Sequence, residues 1–309
     1  MPVGISFTIA DKICRQILSL VFFMRIAVFG SGGLVGSHAA RFFLAHGHEV
    51  VRIGHAGGKY DFSLDASDPS AVGKALFASK PDAVFNAVKC SLSTDESESR
   101  KAEAWKSNVL VPQTLAKACF SLGIKLLHMS SAWVYEGKEG ETYSEESITC
   151  PVNFYSYTKA IAEERVALLC PNSLILRTDS VFGIDNRGAN FFSRLEKSQA
   201  SGQVFLAPGD QLCQPIFADE IARLSAALLE KGRTGVFNCV GPDFISRHEL
   251  ALRFCGVFGF DEKLVAPSVS SGRSIRIPSH LKLDIGKINS VCKVQSLESQ
   301  MRELRGQLP

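Results

Sequence analysis

Two side chains four residues apart, Tyr155 and Lys159, could carry out acid–base chemistry. The pattern that follows Tyr155 predicts a helix over residues 156–169, and side chains at this spacing share one helix face. An ammonium group beside a phenol lowers the phenol's pKa towards the working pH, so the phenol can give a proton to a carbonyl oxygen or take one from an alcohol. Ser131, which follows an apolar run, could donate a hydrogen bond to the same oxygen. Tyr157 is two residues from Lys159 and points elsewhere on a helix, so Tyr155 is the expected acid.

A glycine-rich turn near the first apolar run could bind a pyrophosphate. Gly30, Gly33 and Gly36 follow the run 25–29, and a helical pattern begins beside Leu34. The first glycine permits a sharp turn, the second lets the backbone approach a pyrophosphate, and the third lets the helix pack closely on the strand. The helix N-terminus adds free N–H groups and a positive dipole. We therefore expect the three glycines and Leu34 to contact a dinucleotide.

The end of the second predicted strand indicates which nicotinamide cofactor would fit. Gly54 follows the strand over residues 49–53, where a site for NAD has a carboxylate that binds the ribose 2′-hydroxyl. The absence of that carboxylate removes a charge that would repel a 2′-phosphate, so NADP is favoured over NAD. Arg52, His55 or Lys59 could pair with the phosphate.

From Met24 onward, short apolar runs alternate with helical patterns, as is typical of a parallel sheet covered by helices. The predicted strands are 25–29, 49–53, 83–86, 125–129 and 173–177, and the predicted helices are 35–46, 70–79, 105–122 and 156–169. Strand runs without polar alternation indicate a sheet buried on both faces. The sequence thus predicts an α/β fold with a Rossmann-type doubly wound parallel sheet over 24–178 and a smaller C-terminal α/β substrate-binding domain, mainly 179–309. Residues 1–23 form an N-terminal extension, and 214–241 would return to the main sheet.

The composition excludes several other classes of protein. The 309 residues carry a formal net charge of +3 with Lys and Arg scattered along the chain, so nucleic acid is not an expected partner. The nine cysteines form no C-x-x-C pair, which indicates reduced thiols and a cytoplasmic protein. The seven histidines have no metal-ligand spacing, so no catalytic metal is expected. Residues 9–23 are too short and too interrupted by charge to span a membrane.

The turn spacing G-x-x-G-x-x-G, with the order of Ser131, Tyr155 and Lys159, resembles the extended short-chain dehydrogenase/reductases of the NAD(P)-dependent epimerase/dehydratase superfamily. The resemblance covers nearly everything from Met24 to about Asp284. It is strongest for the branch that contains dTDP-4-dehydrorhamnose reductase. Five segments carry it: 81–87, 128–131, 151–155, 177–178 and 214–219.

This resemblance implies reduction of a keto group on a nucleotide-linked sugar by NADPH or NADH, with Tyr155 as the general acid. Asn108 resembles the asparagine that completes the catalytic tetrad through a water, and Asp65 resembles an acidic residue that faces the adenine. Asn86 and Ala87 lie in a shared segment and are expected to contact the cofactor. The sequence is compatible with a homodimer.

The expected substrate contacts fall where the chain departs from that branch. The strand end reads Ser-Ala-Trp from Ser131, where the reductase has Thr-Asp-Tyr. Asp179 and Ser180 lie where the family often has Ser-Trp. The Ile-Pro that follows Arg276 keeps only part of an Arg-Arg-Pro motif. These departures leave the identity of the sugar open. The residues expected to contact the substrate are Ser131, Trp133, Ser180 and Arg276, whose guanidinium suits a diphosphate.

Two alternatives stay open at this point. A nucleotide-sugar epimerase with retained NAD needs only the same serine, tyrosine and lysine. A non-catalytic NADP-binding regulatory subunit, similar to the β subunit of methionine adenosyltransferase, would share the fold. A 4,6-dehydratase is disfavoured because Ala132 and Trp133 stand where it has an acid–base pair, and a GDP-fucose synthase-like epimerase is disfavoured because no cysteine follows Ser131. Residues 1–23 could be a start-site artefact, a disordered arm, a packing helix or a weak targeting segment.

Overall fold

The structure, a computed structural model, describes residues 23–55, 58–185, 188–270 and 274–308. The predicted N-terminal extension lies outside the described residues except for its last residue. The strands are β1 (Arg25–Phe29), β2 (Glu49–Gly54), β3 (Phe62–Ser63), β4 (Ala83–Asn86), β5 (Lys125–Ser131), β6 (Leu174–Thr178), β7 (Val181–Phe182), β8 (Phe205–Pro208), β9 (Leu212–Cys213), β10 (Ile216–Phe217), β11 (Gly235–Asn238), β12 (Ile245–Ser246) and β13 (Val265–Ser268). The helices are α1 (Leu34–Ala45), α2 (Pro69–Ser79), α3 (Thr94–Ser99), α4 (Lys101–Trp105), α5 (Val111–Leu122), α6 (Phe154–Leu169), α7 (Phe191–Ala200), α8 (Ala218–Glu230), α9 (Arg247–Phe258), α10 (Gly286–Asn289) and α11 (Leu297–Gly306).

Seven of these strands form one parallel sheet, in the order β11-β6-β5-β4-β1-β2-β3. Strand β1 lies between β2 and β4, so the strand order runs outward from β1 in both directions. Such a reversal creates a crevice at the carboxyl ends of the strands, where α/β proteins bind ligands. The predicted α/β fold with a doubly wound parallel sheet is confirmed. Strand β11 reaches the sheet from the C-terminal part of the chain and pairs with β6.

Alternate residues of the central strands face opposite helical layers. In β1, Ile26 and Val28 belong to a core that includes Phe43 of α1, whereas Ala27 belongs to a core that includes Leu115 of α5. Side chains alternate sides along a strand, and both sides are covered here. This explains why the strand sequences are apolar throughout.

The C-terminal part of the chain has a separate apolar core, rich in phenylalanine. The ring of Phe182 stacks on Phe217 at 5.6 Å between centroids and meets Phe254 edge-on at 5.2 Å. Three two-stranded pairings surround this core: β7 with β10, β9 with β12, and β8 with β13. The first of these begins three residues after β6 ends, so the aromatic core is fixed directly beside the carboxyl edge of the main sheet.

One predicted helix, 105–122, is wrong in detail. The segment starts earlier, at Lys101, and residues Lys106–Leu110 form a π-helix in which the Val111 N–H donates to the carbonyl of Lys106. Pro112 has no N–H to donate to the carbonyl four residues before it, that of Asn108, so the α-helical bonding pattern cannot continue through this turn.

Among the described residues, no helix is long and apolar enough to cross a membrane. The cytoplasmic location and the homodimer stay predictions.

Replacing Gly241 by alanine should destabilise the fold, because a Cβ atom there would overlap the carbonyl oxygen of Pro215. Backbone must shift to relieve such an overlap, and we expect a loss of about 1–3 kcal/mol in the free energy of unfolding. Gly73→Ala is the matched control. It lies inside α2 with no atom within 4 Å of the added Cβ, so it should stabilise the fold by about 0.5–1 kcal/mol. Urea denaturation measures both, and equal changes would contradict the packing argument.

Candidate active site

The expected reaction centre assembles at the carboxyl edge of the main sheet. Ser131 is the last residue of β5 and lies opposite Thr178 of β6. Helix α6 begins at Phe154, where the side chain of Asn153 accepts a hydrogen bond from the N–H of Ser156. This cap fixes the start of the helix and places Tyr155 in its first turn, where the Tyr155 hydroxyl interacts with the Ser131 side chain.

Lys159 is buried beneath this pair. Its side chain is 3% exposed, and its Nζ donates a 2.6 Å hydrogen bond to the carbonyl of Met129. Burial lowers the pKa of Lys159 to about 8, and the nearby Glu163 carboxylate offsets part of that shift. The structure brings together the three residues whose order in the sequence indicated a reaction centre.

The pKa of Tyr155 differs in direction from the sequence expectation. Desolvation raises it, the Ser131 hydrogen bond opposes the rise, and the Asp179 charge adds to it. The shift is thus opposite to the lowering of the pKa expected from Lys159, whose Nζ donates to the Met129 carbonyl. In the protein as it stands, the phenol therefore keeps its proton through neutral pH.

A buried ion pair braces the lysine-bearing helix against the sheet. Glu163, one turn after Lys159, accepts 2.6 Å from Nη2 of Arg177 in β6 and 2.5 Å from the hydroxyl of Ser130 in β5. Arg177 also donates to the hydroxyl of Tyr135. The pair ties α6 to two neighbouring strands, close to Lys159.

Asn108 lies within the π-helix and is fully buried. Its Oδ1 accepts from the N–H of Cys90 and its Nδ2 donates to Oγ1 of Thr158, both at 3.0 Å. Thr158 precedes Lys159, so the amide positions α6 beside the lysine. The expected water contact of Asn108 stays a prediction.

The glycine turn has the geometry that a pyrophosphate requires. Gly30 has φ +77°, in the left-handed region, and a Cβ on Gly36 would overlap the Gly30 carbonyl. Gly33 is the N-cap of α1 and has no side chain to satisfy the N–H groups of the first turn, which begins at Leu34. These groups are available to an anion. Ala87 closes the other side, since a Cβ on Gly30 would meet its backbone.

Asn86 does not point into this crevice. It is fully buried, its Oδ1 accepts from the N–H of Val88, and its Nδ2 lies 3.0 Å from Nδ1 of His128. The asparagine thus shapes the end of β4 beneath the turn. Both ends of the Asn86 amide are engaged with the protein, so its side chain does not make the expected direct contact with the cofactor.

Tyr60, which the sequence analysis missed, lies over the end of β2. A Cβ on Gly54 or on Gly32 would overlap its ring, so Gly54 has a packing reason to lack a side chain. His55 is exposed beside it. Asp65 pairs with Lys106 at 2.7 Å, and this hydrogen bond and that from Ser67 hold the pKa of Asp65 at about 2. No motif in the sequence signalled Tyr60.

The expected substrate contacts lie on the far side of the reaction centre. The ring of Trp133 meets Tyr155 edge-on at 5.8 Å between centroids. Ser180 has φ +43°, unusual for a residue with a side chain. Arg276 lies at an exposed rim, where it pairs with Glu136 at 2.7 Å, and its carbonyl accepts a 3.0 Å hydrogen bond from Nδ2 of the α6 N-cap asparagine. A diphosphate would compete with Glu136 for this guanidinium.

The family described as "RmlD substrate binding domain" matches residues 24–304. The chain belongs to this family. The resemblance found in the sequence is thereby confirmed, and the match spans both the glycine turn and the C-terminal core.

Two relatives extend this RmlD family assignment. The dTDP-4-dehydrorhamnose reductase of Aggregatibacter actinomycetemcomitans is 27% identical over 296 residues, which is 89% of this chain and 96% of the relative. That of Streptomyces griseus is 29% identical over 252 residues, 80% of each chain. A dTDP-4-dehydrorhamnose reductase from Bacillus anthracis, solved in complex with NADP, superposes with a TM-score of 0.84 at 18% identity, over 93% of this chain and 100% of that one. At that identity the superposition shows the fold.

Glu163→Leu should cost about 3–5 kcal/mol of unfolding free energy, because it leaves the Arg177 guanidinium buried without its counter-charge. Adding Arg177→Met should recover part of that loss by removing the orphaned charge. The control is Glu298→Leu, whose partner Arg302 is also at 2.6 Å but well exposed, so it should change stability by less than about 1 kcal/mol. Guanidinium denaturation measures the free energy of unfolding of both variants. Similar small losses would show that the buried ion pair does not stabilise the fold.

Proposed function

We propose that this protein is an NAD(P)H-dependent reductase of a keto group on a nucleotide-linked sugar, similar to dTDP-4-dehydrorhamnose reductase. One observation carries the proposal: Ser131, Tyr155 and Lys159 converge at the same sheet edge as a glycine turn with free N–H groups. Curated relatives along most of the chain are named as reductases of this kind.

The residues present fit a nicotinamide dinucleotide. The first turn of α1 offers N–H groups for the pyrophosphate, and the left-handed Gly30 lets the chain turn beneath it. When bound, the cofactor supplies the hydride that the carbonyl carbon accepts. The protein contributes binding, orientation and the proton.

Tyr155 is placed to supply that proton. Its phenol donates to the carbonyl oxygen as the carbon accepts hydride, so the carbonyl becomes an alcohol and the phenolate regains a proton from water. Ser131 donates a hydrogen bond to the same oxygen and stabilises its developing charge. The Tyr155 phenol is protonated at neutral pH, as a proton donor must be. Its raised pKa takes it further from the working pH, at which general acids are most efficient.

The reaction itself is the test. With excess NADPH and a 4-keto-6-deoxy dTDP-sugar, nicotinamide absorbance should fall one-for-one with the alcohol formed. Interconversion of two sugars without net NADPH loss would establish an epimerase instead. Tight NADP binding without turnover of a broad keto-sugar panel would favour a regulatory subunit.

Tyr155→Phe should lower kcat by about 10²–10⁴-fold, because it removes the proton donor while leaving the ring. The matched control is Tyr157→Phe, which removes the same hydroxyl from an exposed position on the same helix and should leave kcat unchanged. Steady-state rates and NADP affinity are measured for both. Equal losses in the two variants would show that the tyrosine assignment is wrong.

We also propose that NADPH is preferred to NADH. Strand β2 ends without a carboxylate, and the exposed Arg52 lies two residues before its last residue. Calorimetry should show the tighter Kd for NADP⁺. Gly54→Asp alone would force the Tyr60 ring aside, so the informative variant combines Gly54→Asp with Tyr60→Ala, with Tyr60→Ala as its control. The double variant should shift the affinity ratio towards NAD⁺ by about tenfold, or about 1.4 kcal/mol. A tenfold preference for NAD⁺ in the unmodified protein would overturn this proposal.

A further inference from the structure

A buried carboxyl group, Asp179, lies immediately beyond the carboxyl end of β6. The residue before it, Thr178, pairs in register with Ser131, so the carboxyl enters the edge at which the reaction centre assembles. Asp179 is 4% exposed, and its charge acts on the Tyr155 phenol. Ser180, one of the residues expected to contact the substrate, follows it in the sequence.

Its surroundings hold the carboxyl in place. Burial raises the pKa of Asp179, and the charge of Arg247 and hydrogen bonds from Gln214 and Ser180 oppose that rise. Oδ2 accepts a 3.0 Å hydrogen bond from the N–H of Gln214, and Oδ1 accepts a 3.3 Å hydrogen bond from the Ser180 hydroxyl. The Ser180 N–H also donates to the carboxyl. Each carboxylate oxygen can accept two hydrogen bonds, so the carboxyl as a whole still has capacity for a further donor. Among the described residues, no Lys, Arg or His nitrogen lies within ion-pair distance of Asp179, and Arg247 influences it only from farther away.

The backbone around Asp179 is held firmly. Gln214 is itself clamped, since its Nε2 donates to the carbonyls of Gly241 and Leu283 and its Oε1 accepts from the Leu283 N–H. Ser180 keeps a left-handed backbone that costs about 1 kcal/mol or more for a residue with a Cβ. Such conformations persist where the surrounding structure imposes them and are concentrated at functional sites.

A buried carboxyl without an adjacent counter-charge is costly to ionise, and its pKa is raised unless a ligand supplies further hydrogen-bond donors. The substrate of the proposed reaction has suitable donors, because sugar hydroxyls flank the carbonyl. We propose that Asp179 is a specificity-determining residue that accepts a hydrogen bond from the sugar hydroxyl on the carbon next to the carbonyl that Tyr155 protonates. This proposal rests on the proposed function.

The assignment predicts selectivity against substrates that lack this hydroxyl. A site built to bond a hydroxyl rejects the analogue without it, since the buried acceptor is then left unpaired. The wild-type protein should therefore prefer the hydroxylated keto sugar to its deoxy analogue in kcat/KM by at least about 100-fold. Asp179→Asn should lower kcat/KM for the hydroxylated substrate by at least about tenfold and change that for the deoxy analogue little.

Asp179→Asn keeps the volume, and its amide oxygen can still accept from Gln214. The control is Asp243→Asn, the same change at a carboxylate that pairs with Arg253 away from the sheet edge, which should leave the selectivity unchanged. If Asp179→Asn does not fold, Asp179→Ser allows the same comparison with a small polar side chain. Equal loss on both substrates would mean that Asp179 only supports the fold, and the proposal would be wrong.

Binding separates this proposal from the proposed function. Calorimetry on the protein with bound NADP⁺ measures the affinity of two reduced nucleotide sugars. One carries the hydroxyl on the carbon next to the reduced position, and the other lacks it. The wild type should bind the hydroxylated ligand at least about tenfold more tightly, and Asp179→Asn should lose this difference. If that result is obtained while no keto sugar is reduced, the role of Asp179 is supported and the proposed reductase activity is wrong. If reduction occurs but the wild type binds the two ligands equally, the proposed role of Asp179 is wrong.

Discussion

The burial of one ammonium group, that of Lys159, constrains most of what surrounds the reaction centre. Water cannot solvate a charge that is 3% exposed, so the Met129 carbonyl and the Glu163 carboxylate must do so. Glu163 is then itself a buried charge and needs Arg177, which in turn uses the Tyr135 hydroxyl. Met129 lies in β5, Glu163 in α6 and Arg177 in β6. The charge therefore determines how α6, β5 and β6 must meet, and their meeting determines where the phenol lies.

Sequence reasoning succeeded where the signal lies within one element. Tyr155 and Lys159 are one helical turn apart, and any helix there places them on one face. Apolar runs of strand length identified the parallel sheet for the same local reason. Glu163 lies on the same face one turn later, and Pro112 indicates that the helical bonding before it is interrupted. Both features could have been predicted from the sequence, but they were overlooked. To predict them, one must ask which hydrogen-bond or charge partner a buried side chain or a helix carbonyl would be missing.

The remainder depends on side-chain contacts and burial, which spacing along the chain does not encode. Gly54 was interpreted through the charge of a cofactor, whereas the structure gives it a neighbour, Tyr60, whose ring fills the space of a side chain. Asp179 was seen as a departure from a motif, and its depth of burial was not foreseeable from the strand that precedes it. The direction of the Tyr155 pKa shift was missed because helical spacing fixes which side chains share a face, and not how much water reaches them.

The return of β11 to the sheet has a consequence for the newly made chain. Strand β6 pairs with β5 on one side and with β11 on the other, and residues 179–234 separate β6 from β11 along the chain. During synthesis β5 and β6 leave the ribosome first, so one row of β6 backbone N–H and C=O groups has no partner until the later strand docks. Open strand edges pair readily with other chains. The length of the intervening segment, residues 179–234, therefore sets how long each nascent chain is exposed to aggregation.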